Sequence, residues 1–141
     1  MLKGISPLIS PELLKILSEM GHGDEIVLAD AHFPAHSVGQ RVVRADGIGA
    51  VPLLTGILQL IPLDQYDPDN FALMEVVPGD DVKPVIWDEY RRVLADAEPG
   101  ALPTFVERFA YYERAKKAYC VVATGETAQY ANIILKKGVV R

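Results

Sequence analysis

The sequence predicts an α/β fold, a three-layer α/β/α sandwich on a mainly parallel sheet. Three observations lead there. Apolar runs such as Ile26-Val27-Leu28-Ala29 and Ala118-Tyr119-Cys120-Val121-Val122 are continuous rather than alternating, as in strands covered on both faces. Segments of helical character separate these runs. Half of the 141 residues are hydrophobic, enough for a chain read as one domain, residues 1–141, to enclose such a sheet.

The elements can be justified in order. Ser10-Pro11-Glu12 opens a helix, with Ser10 as cap, Pro11 at the first helical position and Glu12 complementing the dipole. Leu13, Leu14, Ile16, Leu17 and Met20 form its apolar face, and Gly21 is placed to end it. Residues 25–29 read as a buried strand, and residues 40–44 as a short one before the turn Asp46-Gly47-Ile48-Gly49. A second helix is expected from Pro52 to about Ile61, stopping before Pro62. After a polar loop from Asp64 to Asn70, residues 71–77 read as a strand closed by Pro78-Gly79. A third helix after Lys83-Pro84 carries Trp87, Tyr90 and Leu94 and ends at Glu98-Pro99-Gly100. Residues 104–117 read as a charged, aromatic helix, 118–123 as a buried strand broken by Gly125, and 132–135 as the last strand.

Composition removes several function classes. The net charge of −5 leaves no basic stripe for nucleic acid. Cys120 is the single cysteine, so no internal disulfide can form, and its apolar surroundings mark a buried structural thiol. Neither a signal peptide nor a membrane-length apolar span is legible, so a soluble cytoplasmic protein is expected.

Chemistry concentrates in residues 21–36, which hold all three histidines, His22, His32 and His36, with Asp24 and Asp30 interleaved. Imidazole titrates near neutrality and suits proton transfer. His22 falls just past a helix C-terminus. Asp30 directly follows a buried strand, at the carboxyl edge where ligands of open α/β sheets gather. His32-x-x-x-His36 has metal-ligand spacing, but Pro34 argues against the helix that would align the two rings. A metal site, structural loop histidines, and acid–base or sugar-binding roles all remain open for these residues.

Two further constellations stand out. In Glu107-Arg108-Phe109-Ala110-Tyr111-Tyr112-Glu113-Arg114, residues Arg108, Tyr111 and Tyr112 lie close to one helix face and suit a hydroxylated ring-shaped ligand. Glu107, Glu113, Arg114, Lys116 and Lys117 read as a solvated face, with Glu113 pairing to Lys117. Thr124-Gly125-Glu126 and Tyr130-Ala131-Asn132 follow another buried strand, where Tyr130 offers a hydroxyl and Asn132 both a donor and an acceptor. Such neutral groups suit a sugar better than a phosphate. No glycine-rich phosphate loop and no G-x-S-x-G nucleophile motif occurs.

Taken together, Ile5-Ser6-Pro7, Gly21-His22-Gly23-Asp24, Ala29-Asp30-Ala31-His32-Phe33-Pro34, Phe109-Ala110-Tyr111-Tyr112-Glu113-Arg114 and Tyr130-Ala131-Asn132-Ile133 resemble the L-fucose mutarotase / D-ribose pyranase family. The resemblance runs from Leu2 to about Val139 and is loose over residues 45–105. It implies the D-ribose-pyranase-like fold and a cofactor-free sugar isomerase with no metal. It implies His22 as the proton donor, with Asp30, Arg108, Tyr130 and Asn132 as substrate contacts, and a homo-oligomer, a decamer. His32-Phe33-Pro34-Ala35-His36 and Arg108 look like the fucose branch, which makes L-fucose the expected sugar ahead of D-ribose. Mutarotation breaks no carbon–hydrogen bond and changes no oxidation state, so one imidazole with a carboxylate or phenol suffices. The rival classes are mutarotation of D-ribose or another monosaccharide, a non-catalytic sugar-binding subunit, and a metal-dependent hydrolase or lyase using the three histidines.

Overall fold

A computed structural model describes residues 1–141. Six strands form one sheet in the order β2-β5-β1-β6-β3-β4, where β1 is Glu25–Ala29, β2 Val42–Ala45, β3 Phe71–Met74, β4 Thr104–Val106, β5 Cys120–Thr124 and β6 Ile133–Lys136. β1 and β2 pair parallel to β5, and β3 pairs parallel to β4. β6 runs antiparallel to both of its neighbours, β1 and β3, so five strands point one way and the sheet is mainly parallel, as expected. The reversal has a simple cause. Residues 125–132 between β5 and β6 contain no helix, and a parallel return requires a crossover of a dozen or more residues.

The helices α1 (Pro11–Glu19), α2 (Ala35–Val38), α3 (Ala50–Leu58), α4 (Ile86–Ala97) and α5 (Arg108–Lys117) complete the outer layers. Alternate residues of each strand serve opposite layers. Ile26, Leu28, Phe71, Leu73, Cys120, Val122, Ile133 and Leu135 join α1, α3 and α4 in the larger core. Val27, Ala29, Ala72, Val121, Ala123 and Ile134 face α2 and α5 in a smaller one. No helix is long and apolar enough to cross a membrane.

Local chemistry sets the boundaries. The Ser10 hydroxyl accepts the Leu13 N–H at 3.1 Å, the expected cap of α1. α3 begins at Ala50 rather than Pro52 and ends at Leu58 rather than Ile61. Pro52 fits inside its first turn, where the amide hydrogen has no intrahelical partner. The expected helix over 104–117 is divided. Residues 104–106 are an edge strand, and Glu107 caps α5 by accepting the Phe109 and Ala110 N–H groups, each at 3.0 Å. Those bonds hold its carboxyl below the ordinary range. Glu107 is therefore a cap rather than part of a solvated face. Glu113 pairs with Lys116 at 2.8 Å rather than with Lys117. Arg114, also expected on the solvated face, is mostly buried and bridges Glu25 at 2.6 Å and Asp69 at 3.0 Å. Pro34 does not abolish helix but starts one, the single turn α2. The strand expected over 71–77 closes at Met74, and the last strand reaches Lys136. At Gly125 a Cβ would lie 2.0 Å from the Asp46 carbonyl oxygen, so only glycine lets the 46–48 turn pass β5.

Candidate functional site

The antiparallel β6 brings the start of the last strand to the end of the first. Leu28 is paired with Ile133, so Asp30 and Asn132 meet at the carboxyl edge of the sheet. The Asp30 N–H donates to Asn132 Oδ1 at 2.7 Å. Beside them the Thr124 hydroxyl donates to the Ala29 carbonyl at 2.6 Å, tying β5 to β1 at the same edge. Asp30, His32, Phe33, Met74, Tyr112, Thr127, Gln129, Tyr130 and Asn132 line an open cleft of about 260 Å³ there.

Each group arrives with part of its bonding capacity already used. Asp30 accepts the His32 N–H at 3.0 Å, yet burial pushes its carboxyl above the ordinary range. Asn132 was expected to offer both an acceptor and a donor. Its oxygen is taken by the Asp30 amide, and its NH2 remains. Tyr130 is the only non-glycine residue with positive φ, at 56°. Its hydroxyl donates to Asp80 Oδ2 at 2.7 Å and accepts the Val77 N–H at 3.3 Å. The bond to Asp80 raises the phenol's pKa, so the hydroxyl stays neutral. Two side chains of α4 hold the strained segment from beneath. The Trp87 indole donates to the Tyr130 carbonyl at 2.9 Å, and the Tyr90 hydroxyl to the Ala131 carbonyl at 2.5 Å. Strain sustained by two donors of α4, Tyr90 buried and Trp87 half-buried, marks a segment whose conformation is specified.

Arg108 opens α5 immediately beyond β4, also at the carboxyl edge, and forms no ion pair. Its guanidinium lies 5.9 Å from the centre of the Tyr112 ring, which itself packs at 5.6 Å on Phe33. Thus Asp30, Arg108, Tyr130 and Asn132, four of the five residues singled out in the sequence, share one edge. Tyr111 does not join them. It is fully buried in the smaller core, its hydroxyl has no partner, and burial raises its pKa well above the ordinary value.

His22 lies elsewhere. It follows α1 in a loop that precedes β1, at the amino end of the strand whose carboxyl end carries Asp30. The loop is fixed by the Gly23 N–H donating to the Lys137 carbonyl at 2.8 Å and the Gly21 N–H to Asp24 Oδ2 at 2.8 Å. The His22 ring meets Asp64 Oδ1 through Nε2 at 2.9 Å. His22, His32 and His36 therefore do not converge within one chain, and no three His, Cys, Asp or Glu side chains group as metal ligands. Composition near residue 22 drew attention to the histidine but not to Asp64, because the partner is contributed by a distant loop. Phe33, Met74 and Gln129 were also missed as cleft lining, since isolated apolar or amide residues carry no chemical signature in a sequence. Trp87 and Tyr90 had one available signal, polar tips on an otherwise apolar helix face.

The geometry can be set beside known proteins. Over 141 residues the chain is 57% identical to the L-fucose mutarotase of Actinobacillus pleuropneumoniae serotype 5b (strain L20), covering 99% of this chain and 97% of that protein. It is 56% identical to the L-fucose mutarotase of Histophilus somni (strain 2336), with the same coverage. The crystal structure of the fucose mutarotase from Streptococcus pneumoniae in complex with L-fucose matches with a TM-score of 0.95 at 52% identity, covering 99% of this chain and 100% of that one. With residues 3–140 matching the family profile as well, the chain belongs to the RbsD / FucU transport protein family.

Proposed function

We propose that this protein is an L-fucose mutarotase, which interconverts the α and β anomers of L-fucopyranose by general acid–base catalysis without a cofactor. The observation that carries this reading is the near-identical fold, at 52% identity, of a fucose mutarotase bound to L-fucose. The cleft supports it independently. A carboxylate, an amide NH2 and the Phe33–Tyr112 aromatic pair in the cleft, with the unpaired Arg108 guanidinium beside Tyr112 at the same edge of the sheet, are what a neutral sugar with several hydroxyls and one apolar face requires.

In this reading Asp30, Arg108, Tyr130 and Asn132 hold the sugar, and His22 supplies the proton. The His22 imidazolium gives a proton to the ring oxygen as the C1–O5 bond breaks and its electron pair moves to O5. The anomeric hydroxyl releases its proton to Asp30, whose carboxyl burial has raised toward the basicity such a transfer needs. Electrons from that O–H bond complete the C1 carbonyl of the open aldehyde. Rotation about C1–C2 and reversal of the same steps closes the ring on the other face and returns both protons. Oxidation states do not change.

The placement of His22 adds a requirement. Its ring and the cleft sit at opposite ends of β1, so a sugar held by Asp30 receives its proton from the His22 of a neighbouring subunit. We place the site between subunits of a homodecamer in the cytoplasm, about 155 kDa for ten chains of 15.5 kDa.

Saturation transfer between the two anomeric proton signals of L-fucose, with D-ribose in parallel, tests the assignment. Exchange above the protein-free rate is expected, fastest with L-fucose. His22→Ala should lower it by roughly 10²-fold or more with the fold intact. A folded protein without exchange activity refutes the assignment, and near-normal exchange in His22→Ala refutes the choice of proton donor.

A further inference from the structure

Tyr130 is gripped at its far end as well as along its backbone. Its hydroxyl donates to Asp80 Oδ2 at 2.7 Å and accepts the Val77 N–H at 3.3 Å. One donated and one accepted bond occupy a phenol hydroxyl. Both partners belong to a single turn between β3 and α4. The Asp80 N–H donates to the Val77 carbonyl at 3.0 Å, and Gly79, preceded by Pro78, has φ 90°. That is the pattern of a type II turn, in which proline presets the first central position and glycine supplies the positive φ of the second. Asp80 Oδ1 accepts the Val82 N–H at 3.1 Å, so the carboxylate is oriented by its own loop before it meets the phenol. The Glu75 N–H donates to the Val106 carbonyl at 2.8 Å and ties the start of the loop to β4. Val76, Val77 and Pro78 also line a recess of about 160 Å³ together with Arg108. The turn thus borders two of the residues assigned to the sugar.

We propose that Asp80 is a positioning residue for Tyr130: the 77–82 turn occupies the phenol hydroxyl and sets the ring, so that Tyr130 meets the sugar with its aromatic face and not with its hydroxyl. This rests on Tyr130 being one of the residues that hold the sugar. Tyr130 has φ 56°, a conformation that a residue with a side chain sustains only when its surroundings fix it. The bonds from Trp87 and Tyr90 reach carbonyl groups and fix the main chain. They leave the phenol free to turn about its side-chain torsions, and the 77–82 turn removes that freedom. Asp80 is exposed, where water competes for the same bond, so its contribution to folding is small. What the bond changes is the readiness of the ring. Ordering a side chain on binding costs affinity, and a ring held beforehand escapes that cost. An aromatic face also suits the apolar side of a sugar, whereas a hydroxyl already bonded twice cannot replace the water that a sugar hydroxyl gives up.

Fucose exchange measured over a range of sugar concentrations separates KM from kcat. Asp80→Ala and Tyr130→Phe should each raise KM roughly 3- to 10-fold with kcat within about 2-fold of wild type, and the double variant should be no worse than either. Asp81→Ala, the same loss of charge one residue further on, should match wild type. The ¹³Cζ signal of Tyr130, identified by its loss in Tyr130→Phe, reports the bond in the absence of sugar. Removing the Asp80 charge should let the phenol ionise at lower pH in Asp80→Ala than in wild type. A Tyr130→Phe protein whose kcat falls roughly 10²-fold or more overturns the proposal, because the hydroxyl then acts on the sugar itself, and this holds even if Asp80→Ala fails to fold. An Asp80→Ala variant that keeps both the KM and the Tyr130 titration of wild type overturns it as well, as do additive effects in the double variant. Failure of the underlying reading shows separately, as undiminished exchange in Tyr130→Ala, because the titration is read without sugar.

Discussion

Two inactive variants, His22→Ala and Tyr130→Ala, should rescue each other when assembled together. The reasoning starts from the sheet. His22 precedes β1 and Asp30 follows it, and the strand Glu25–Ala29 alone spans about 13 Å at about 3.3 Å per residue. A histidine side chain at one end does not reach a sugar held at the other. If each site takes its histidine from one chain and its cleft from the next, random assembly of equal amounts gives a working histidine in half the sites. It gives a working cleft, independently, in half. About a quarter of the sites are then intact, so about a quarter of wild-type exchange should return. Wild-type chains mixed equally with the double variant His22→Ala/Tyr130→Ala supply the control. A shared site leaves about a quarter of the activity of an all-wild-type assembly, whereas a site within one chain leaves about half. The variants are mixed after dissociation, reassembled, checked by native mass spectrometry and assayed by saturation transfer. Mixed oligomers without rescue place every group on one chain. A fully active monomer refutes the shared site outright.

Other consequences can be checked on the same protein. Asp30→Asn should abolish exchange yet raise the thermal midpoint at neutral pH, because Asn can still accept the His32 N–H and removes a partly buried carboxylate. Since the folded pKa of Asp30 lies above its unfolded value, its stabilising contribution is present below the unfolded value and lost as pH rises through the folded one. Melting curves at about pH 5 and pH 7 should therefore show the wild type losing ground to the variant as pH rises, and a variant less stable at pH 7 contradicts this. Leu28→Ala, at a fully buried position in β1, should cost about 2–5 kcal/mol by urea unfolding. Glu113→Ala, which breaks only an exposed pair with Lys116, should leave the midpoint and the exchange rate unchanged. Extensive chelation should leave exchange intact, and a loss restored by zinc would favour a metal role for the histidines.

The sequence by itself determined the class of fold and one edge of the site. Short continuous apolar runs such as Ile26–Ala29, bounded by polar residues and too brief for a helix, read as strands covered on both faces, and a residue directly after such a strand emerges at its carboxyl edge. The sequence thus places Asp30 at that edge, and Asn132 joins it because β6 runs back along β1. Boundaries were less legible where one side chain decides them. Glu107 turns a single expected helix into a strand and a capped helix, and propensity cannot distinguish a capping glutamate from a surface one. Arg114 likewise reads as a solvated residue, because its partners Glu25 and Asp69 lie far away in the chain. Tertiary structure alone decided the surroundings of His22. The pairing of Gly23 with Lys137, and of the Asp64 loop with β6, depends on a strand that arrives at the end of the chain and runs against its neighbours. Long-range hydrogen bonds of that kind leave no local pattern. A sequence can therefore present His22 and Asp30 as neighbours eight residues apart, while the extended strand between them sets them at opposite edges of the sheet.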